Sequence, residues 1–150
     1  SLPTIMRGAE GMSVDPWGFI TPVAKGLKTP KGIIRYPDLR IEYDDEQNQR
    51  EWWYGHGRHK ARIYAGKIDE NIVQHLARSV IADNALTVQQ VLGLNPALMV
   101  HDELVYVVPA TRAQGVLDDV QSIMRTPPDW WPELVTWSEG DIADSYGSAK

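Results

Sequence analysis

His101-Asp102-Glu103 interrupts an otherwise apolar run, residues 97–109, which reads Ala-Leu-Met-Val-His-Asp-Glu-Leu-Val-Tyr-Val-Val-Pro. Two adjacent carboxylates beside an imidazole suit the holding of a hard divalent cation or the movement of a proton. The bland alternative is a solvated turn whose Asp and Glu serve only local hydrogen bonds. A second constellation is Asn71, Gln74, His75 and Arg78, spaced i, i+3, i+4 and i+7, which a helix would line up as one polar stripe. Amides that donate and accept, followed by a cation, can touch base edges and sugar-phosphate together, although an ordinary solvent face needs no such explanation. The cations themselves fall into two groups: Lys25, Lys28, Lys31, Arg35 and Arg40, then Arg58, Lys60, Arg62 and Lys67. An acidic run over residues 42–46 separates them. A solvated loop face explains each group, with phosphate contact as the sharper alternative. His56 and His59 lie among glycines without nearby acids in sequence, which favours a plain loop over a metal pair.

These side chains need elements to position them. Leu98 to Val100 and Leu104 to Val108 have strand composition and flank a tight turn, so a hairpin would lift Asp102 to the tip of a buried sheet. From Lys67 to about Leu86 the period becomes helical, with Ile68, Ile72, Leu76 and Val80 four apart and Val73, Ala77 and Ile81 widening the stripe. Asp69 and Glu70 suit the positive end of that helix. Thr111 and Gln114 match a capping box before a second amphipathic helix through Val116, Leu117, Val120, Ile123 and Met124, stopped by Pro127-Pro128. Trp130, Trp131 and Trp137 read as core or as packing against the sheet. Upstream, residues 33–36, 39–43, 51–54 and 61–64 are short strand segments, with residues 44–50 a polar loop. Pro3, Gly8, Gly11, Pro16 and Gly18 punctuate the beginning too heavily for a helix, leaving an irregular connection.

Composition sets the outer bounds. The chain has 150 residues, 43% of them hydrophobic and six of them Trp, enough for a folded core of about one ordinary domain. No apolar stretch reaches membrane-span length and no signal-peptide pattern is present, so the cytoplasm is the default location and no membrane partner is expected. With no cysteine, disulfides and thiolate metal sites are excluded, and any metal would rest on carboxylates, imidazoles or substrate oxygens. The net charge of −5 is uneven: residues 1–67 hold eleven Lys and Arg against eight Asp and Glu, residues 68–150 four against twelve. Ser1 in place of Met is compatible with a piece of something longer. The fold expectation is α+β, an antiparallel sheet centred on the hairpin and packed against two main helices.

Val100-His101-Asp102-Glu103 in its apolar hairpin resembles the C motif of family A DNA polymerases, the DNA polymerase I-like class that includes many phage enzymes. Three further segments follow the family's order. Gly26-Leu-Lys-Thr-Pro-Lys-Gly-Ile-Ile-Arg-Tyr-Pro-Asp-Leu-Arg40 is similar to the glycine-centred hairpin after the fingers, and Tyr64-Ala-Gly-Lys-Ile-Asp-Glu-Asn-Ile-Val-Gln-His-Leu-Ala-Arg78 to the palm helix that follows. Met124-Arg-Thr-Pro-Pro-Asp-Trp130, Glu139-Gly140 and Tyr146-Gly-Ser-Ala-Lys150 resemble the ending of phage versions. The resemblance implies that residues 26–150 are the C-terminal palm portion, with residues 1–25 the end of the fingers or a connection.

It also implies roles. Asp102 would be a catalytic carboxylate holding Mg2+ in a two-metal nucleotidyl transfer, and Glu103 its supporting acidic neighbour. His101 would lie near the primer terminus, Gln74 would read the minor groove, and Asn71, Arg78 and Lys67 would add DNA contacts. Primer-template DNA and a deoxynucleoside triphosphate would be the partners of the complete enzyme. The A motif with its partner aspartate and the fingers helix are not found here, so the chain alone is expected to be inactive and to need an N-terminal polymerase part, and its uncovered surface predicts self-association. Two alternatives stay open: a non-catalytic DNA-binding module derived from a palm, and a small metal hydrolase using Asp102, Glu103 and His75 or His101.

Overall fold

The computed structural model describes residues 1–8, 12–45 and 48–148, so Gly11, Glu46 and Lys150 lie outside the described residues. The chain divides into two compact units, Ser1–Leu76 and Ala77–Lys150. The architecture is α+β, the expected class, and its described strands form three antiparallel sheets.

The first unit opens with a short helix, α1 (Leu2–Arg7), where the sequence predicts none; Pro3 falls in its first turn, the place where a missing N–H costs nothing. Strands β1 (Thr21–Val23), β2 (Gly26–Thr29) and β3 (Gly32–Arg35) form one sheet in that order. A second sheet holds β4 (Arg40–Asp44), β5 (Gln49–Tyr54) and β6 (Ala61–Ile63). The expected loop over residues 44–50 is therefore shorter, because β4 and β5 extend into it and pair up to Asp44 with Gln49. The core consists of Ile5, Ile20, Leu27, Tyr36, Leu39, Ile63 and Ile68. Tyr36 and Tyr54 meet edge to face inside it, with ring centroids 5.4 Å apart.

Helix α2 (Ala65–Leu92) is longer than its apolar period predicts. The buried stripe does continue, through Ile81, Asn84 and Val88, but the polar Asn84 masks it in the sequence. Gly93 ends the helix at φ 67°, its N–H donating to the Gln89 carbonyl, an end that a residue without Cβ adopts freely. Val73 and Ala77, expected in the buried stripe, are exposed instead.

In the second unit, β7 (Leu98–Val100) and β8 (Glu103–Val105) make the expected hairpin. Helix α3 (Ala113–Met124) packs Val116 and Val120 with Val88, and Tyr106 and Val108 lie against the same cluster. The capping box does not form. Thr111 falls inside a 3-10 turn, Ala110–Arg112, that follows Pro109; Arg112 takes the N-cap place without a side-chain cap. The Trp residues also depart from expectation. Trp130 and Trp131 are half-buried, and the Trp130 indole N–H donates to Asp83 Oδ2 of α2 at 2.8 Å, so it is a helix and not the sheet that receives it. Trp137 is 73% exposed, with the Arg125 guanidinium stacked 4.4 Å from its ring centroid.

Candidate functional site

The hairpin turn consists of two residues, His101 and Asp102, closed by the pairing of Val100 with Glu103. His101 is left-handed, φ 52°, a conformation tolerated by His better than by branched residues. This kink fixes where Asp102 departs from the strands. His101, Asp102 and Glu103 are all exposed, so the tip is lifted clear of its own unit. The sheet beneath it is not buried as expected: Leu98, Met99 and Val100 are exposed, and among the described residues β7 and β8 pair only with each other. Two strands alone are marginal in water, and anchorage comes from Tyr106 and Val108 beyond β8. Ala97 N–H closes the base on the Val105 carbonyl at 2.7 Å.

Tyr146 O–H donates to Glu103 Oε2 at 3.2 Å, tying the end of the described chain to the hairpin tip. That hydrogen bond and the carboxylate charge push the Tyr146 phenol above its ordinary value. Among the described residues, no three His, Cys, Asp or Glu side chains converge as a metal-holding group. Asp102 and Glu103 therefore do not assemble a magnesium cage by themselves, since such an ion needs several oxygen ligands in near-octahedral array.

The polar stripe on α2 splits by what each residue touches. Asn71 Nδ2 donates to the Tyr36 hydroxyl at 3.2 Å, and burial pushes that phenol up despite the amide's opposing pull. His75 Nε2 lies 2.9 Å from Thr29 Oγ1, which also donates to the Gly32 carbonyl. Burial lowers the His75 imidazole below its ordinary value. Both residues thus fasten the helix to the first unit's own sheet and strand-end tyrosine. Gln74 and Arg78 are exposed, Gln74 donating to Glu70 Oε1 at 3.1 Å. Lys67 pairs with Glu70 at 2.9 Å, which raises its ammonium above the ordinary lysine value. Gln74 and Lys67 share one acidic partner, so three of the expected DNA-contact residues carry internal contacts.

The two basic groups also separate. Arg40 and Lys60 both hold Glu42, Lys60 lies over the Trp53 ring, and Arg62 pairs with the buried Glu51 at 2.7 Å. The Lys60 hydrogen bond draws Glu42 below its ordinary value against an opposing desolvation, and Arg40 adds to the pull. Lys25, Lys28 and Arg35 stand in no ion pair among the described residues. His56, which has no acid beside it in sequence, meets Asp38 in space across the β3–β4 turn.

One organising residue was not singled out from the sequence. Asp15 opens the turn Asp15-Pro16-Trp17-Gly18, and its carboxylate accepts from the N–H groups of Trp17, Phe19 and Ile20 at 3.0, 3.0 and 2.6 Å. Asp, Pro and Gly at those turn positions are a readable signal. Tyr146 and the Trp17–Phe19 pair were likewise missed as contacts, because only folding brings their partners near.

The chain is 37% identical over 112 residues to the DNA polymerase of Bacillus phage SP02, an overlap of 75% of this chain and 16% of that protein. It is thus related to a phage DNA polymerase, while spanning a small part of that relative's length. No protein-family model matches the sequence, and no solved structure matches it. None of the described helices is long and apolar enough to cross a membrane.

Proposed function

We propose that this chain is the C-terminal palm portion of a family A DNA polymerase and contributes Asp102 to template-directed nucleotidyl transfer. The observation that carries the reading is an exposed His101-Asp102-Glu103 hairpin tip in a chain related to a phage DNA polymerase. Asp102 supplies one carboxylate of a Mg2+ site whose other ligands come from outside the described residues. Glu103, held by Tyr146, keeps a second negative charge beside it. His101 lies near the primer terminus, and Gln74, Arg78 and Lys67 meet DNA, with Asn71 placing the helix through Tyr36. A magnesium ion would neutralise charge on the incoming triphosphate; among the described residues no full ligand set converges on Asp102.

Primer extension tests this directly. The chain alone extends no primer on a primed template, and adding a polymerase part that carries the A motif and fingers restores synthesis. Asp102→Ala abolishes the restored synthesis, while Glu103→Gln reduces it less. Restoration that persists in Asp102→Ala, or fails with a folded complement, removes the reading. A non-catalytic DNA-binding module is the second reading, favoured by Lys25, Lys28 and Arg35, which stand in no ion pair among the described residues. Salt-sensitive DNA binding without restored synthesis would select it.

A further inference from the structure

Cross-strand partners share a face of a sheet, so β1–β3 present Thr21, Lys28 and Ile33 in one row and Val23, Gly26 and Arg35 in the next. The opposite face carries Pro22, Leu27, Ile34 and Thr29; Leu27 and Ile34 enter the core, and Thr29 meets His75 of α2. The first face therefore points away from α2. Its floor is closed: a Cβ on Gly26 would lie 2.7 Å from the Ile34 carbonyl oxygen, 3.2 Å from Ile33 Cγ2 and 3.4 Å from Val23 Cγ2. Lys28 and Arg35 rise from this floor, and Lys25, left-handed at φ 53°, stands exposed in the β1–β2 turn.

The electrostatics favour an anion. No Asp or Glu occurs between Pro16 and Pro37. Lys25, Lys28 and Arg35 have no ion-pair partner among the described residues, unlike Arg40, Lys60, Arg62 and Lys67. Asp15, the nearest acid before the sheet in sequence, is occupied by backbone N–H groups. An aromatic surface adjoins the cations. Trp17, 55% exposed, stacks with Phe19 at a centroid separation of 6.3 Å and an interplanar angle of 24°. Phe19, Gly18, Thr21 and Lys28 line one open depression of about 500 Å³.

We propose that this outward sheet face binds single-stranded nucleic acid, with phosphates on Lys25, Lys28 and Arg35 and an unpaired base against the Trp17–Phe19 stack. Cations track a phosphodiester backbone, and flat aromatic rings take the base faces that a duplex keeps covered. A duplex offers no free base face, and a featureless polyanion has no use for the stack. The proposal stands on the first unit alone and does not require Asp102, so it can fail while the polymerase reading holds, and conversely.

Anisotropy of a labelled oligothymidylate of about 16 nucleotides, titrated with the full chain over a range of salt, reads the binding. Lys28→Gln with Arg35→Gln lowers affinity and reduces the slope of log K against log salt by about 1.4, at about 0.7 per lost phosphate contact. Trp17→Ala weakens binding about tenfold with little change in slope, and Trp17→Phe restores most of it. Arg58→Gln, the same charge change at another exposed site of this unit, leaves affinity within about twofold. Far-UV circular dichroism matched to the parent chain certifies folding of each variant. Absence of binding at low ionic strength overturns the proposal. So does an unchanged affinity in Trp17→Ala, or a Trp17→Ala loss for duplex DNA, inorganic polyphosphate or phosphatidylserine vesicles as large as that for the oligothymidylate.

Discussion

Replacing Asp15 with Ala removes the acceptor that organises the loop leading into β1. Its carboxylate takes three backbone N–H groups at 2.6 to 3.0 Å, and the Ser13 hydroxyl donates to it at 3.0 Å. The Trp17 N–H is exposed, so water replaces that bond at little cost, whereas those of Phe19 and Ile20 are partly buried. Leaving two partly buried donors without a charged acceptor costs about 1 to 1.5 kcal/mol each, or about 2 to 3 kcal/mol in all. Asp15→Asn keeps one acceptor oxygen and should lose about half as much. Partial burial pulls the Asp15 carboxyl up, but the Phe19 and Ile20 N–H groups, the Ser13 hydroxyl and the Trp17 N–H outweigh it and hold it below its ordinary value. A depressed carboxyl contributes stability that is complete above its unfolded value, 3.8, and is lost as pH falls through the lower folded value. The parent chain should therefore show an acid limb below about pH 4 that is shallower in Asp15→Asn. Urea denaturation gives the global term, and hydrogen exchange of the peptide covering residues 13–21 gives the local one. A destabilisation below about 0.5 kcal/mol in Asp15→Ala by both measures refutes this account of the loop.

Four further outcomes follow from contacts elsewhere in the chain. Burial lowers the His75 imidazole, so the unfolded chain binds its proton first; stability of the first unit should fall as pH drops below about 6.5, and His75→Gln should flatten that limb in urea melts at pH 7.5 and 5.5. A limb equally steep in the variant would assign it to other groups. At the hairpin tip, His101→Gly should be neutral or slightly stabilising and His101→Val destabilising by about 1 to 2 kcal/mol, because φ 52° is strained for a branched residue; thermal melts that rank the two the other way contradict the turn geometry. Thr111→Ala should change stability by less than about 0.5 kcal/mol, since no side-chain cap precedes α3, and a loss of about 1 kcal/mol would restore the capping box. Self-association through the exposed strands β7 and β8 can be read in parallel by size-exclusion chromatography across concentration, where a strict monomer argues against it.

Legibility followed the range over which each signal acts. The hairpin was readable because two apolar β-formers bracket a two-residue turn, and the register closes where the polar triplet begins. The start of α2 was readable from the four-residue spacing of Ile68, Ile72 and Leu76, but its last turns were hidden by the buried polar Asn84. The capping box was a false signal: Pro109 starts a 3-10 turn one residue before Ala110, which gives Thr111 helical rather than cap torsions. Trp137 reads as core by residue type, yet it lies in solvent against Arg125.

The sequence by itself determined the α+β class, the hairpin with Asp102 in its turn, the helical face that carries Gln74, and the uneven distribution of charge. All of these depend on neighbours within a few residues or on composition, and local torsional preference and periodicity record them directly. Only the tertiary structure decided which polar groups are already engaged. It closed Asn71 on Tyr36 and His75 on Thr29, matched Arg40, Lys60, Arg62 and Lys67 with Glu42, Glu51 and Glu70, and left Lys25, Lys28 and Arg35 without ion-pair partners among the described residues. It also left Leu98 to Val100 exposed. Those outcomes depend on strand register and on contacts between residues tens of positions apart, which pattern along the chain does not encode.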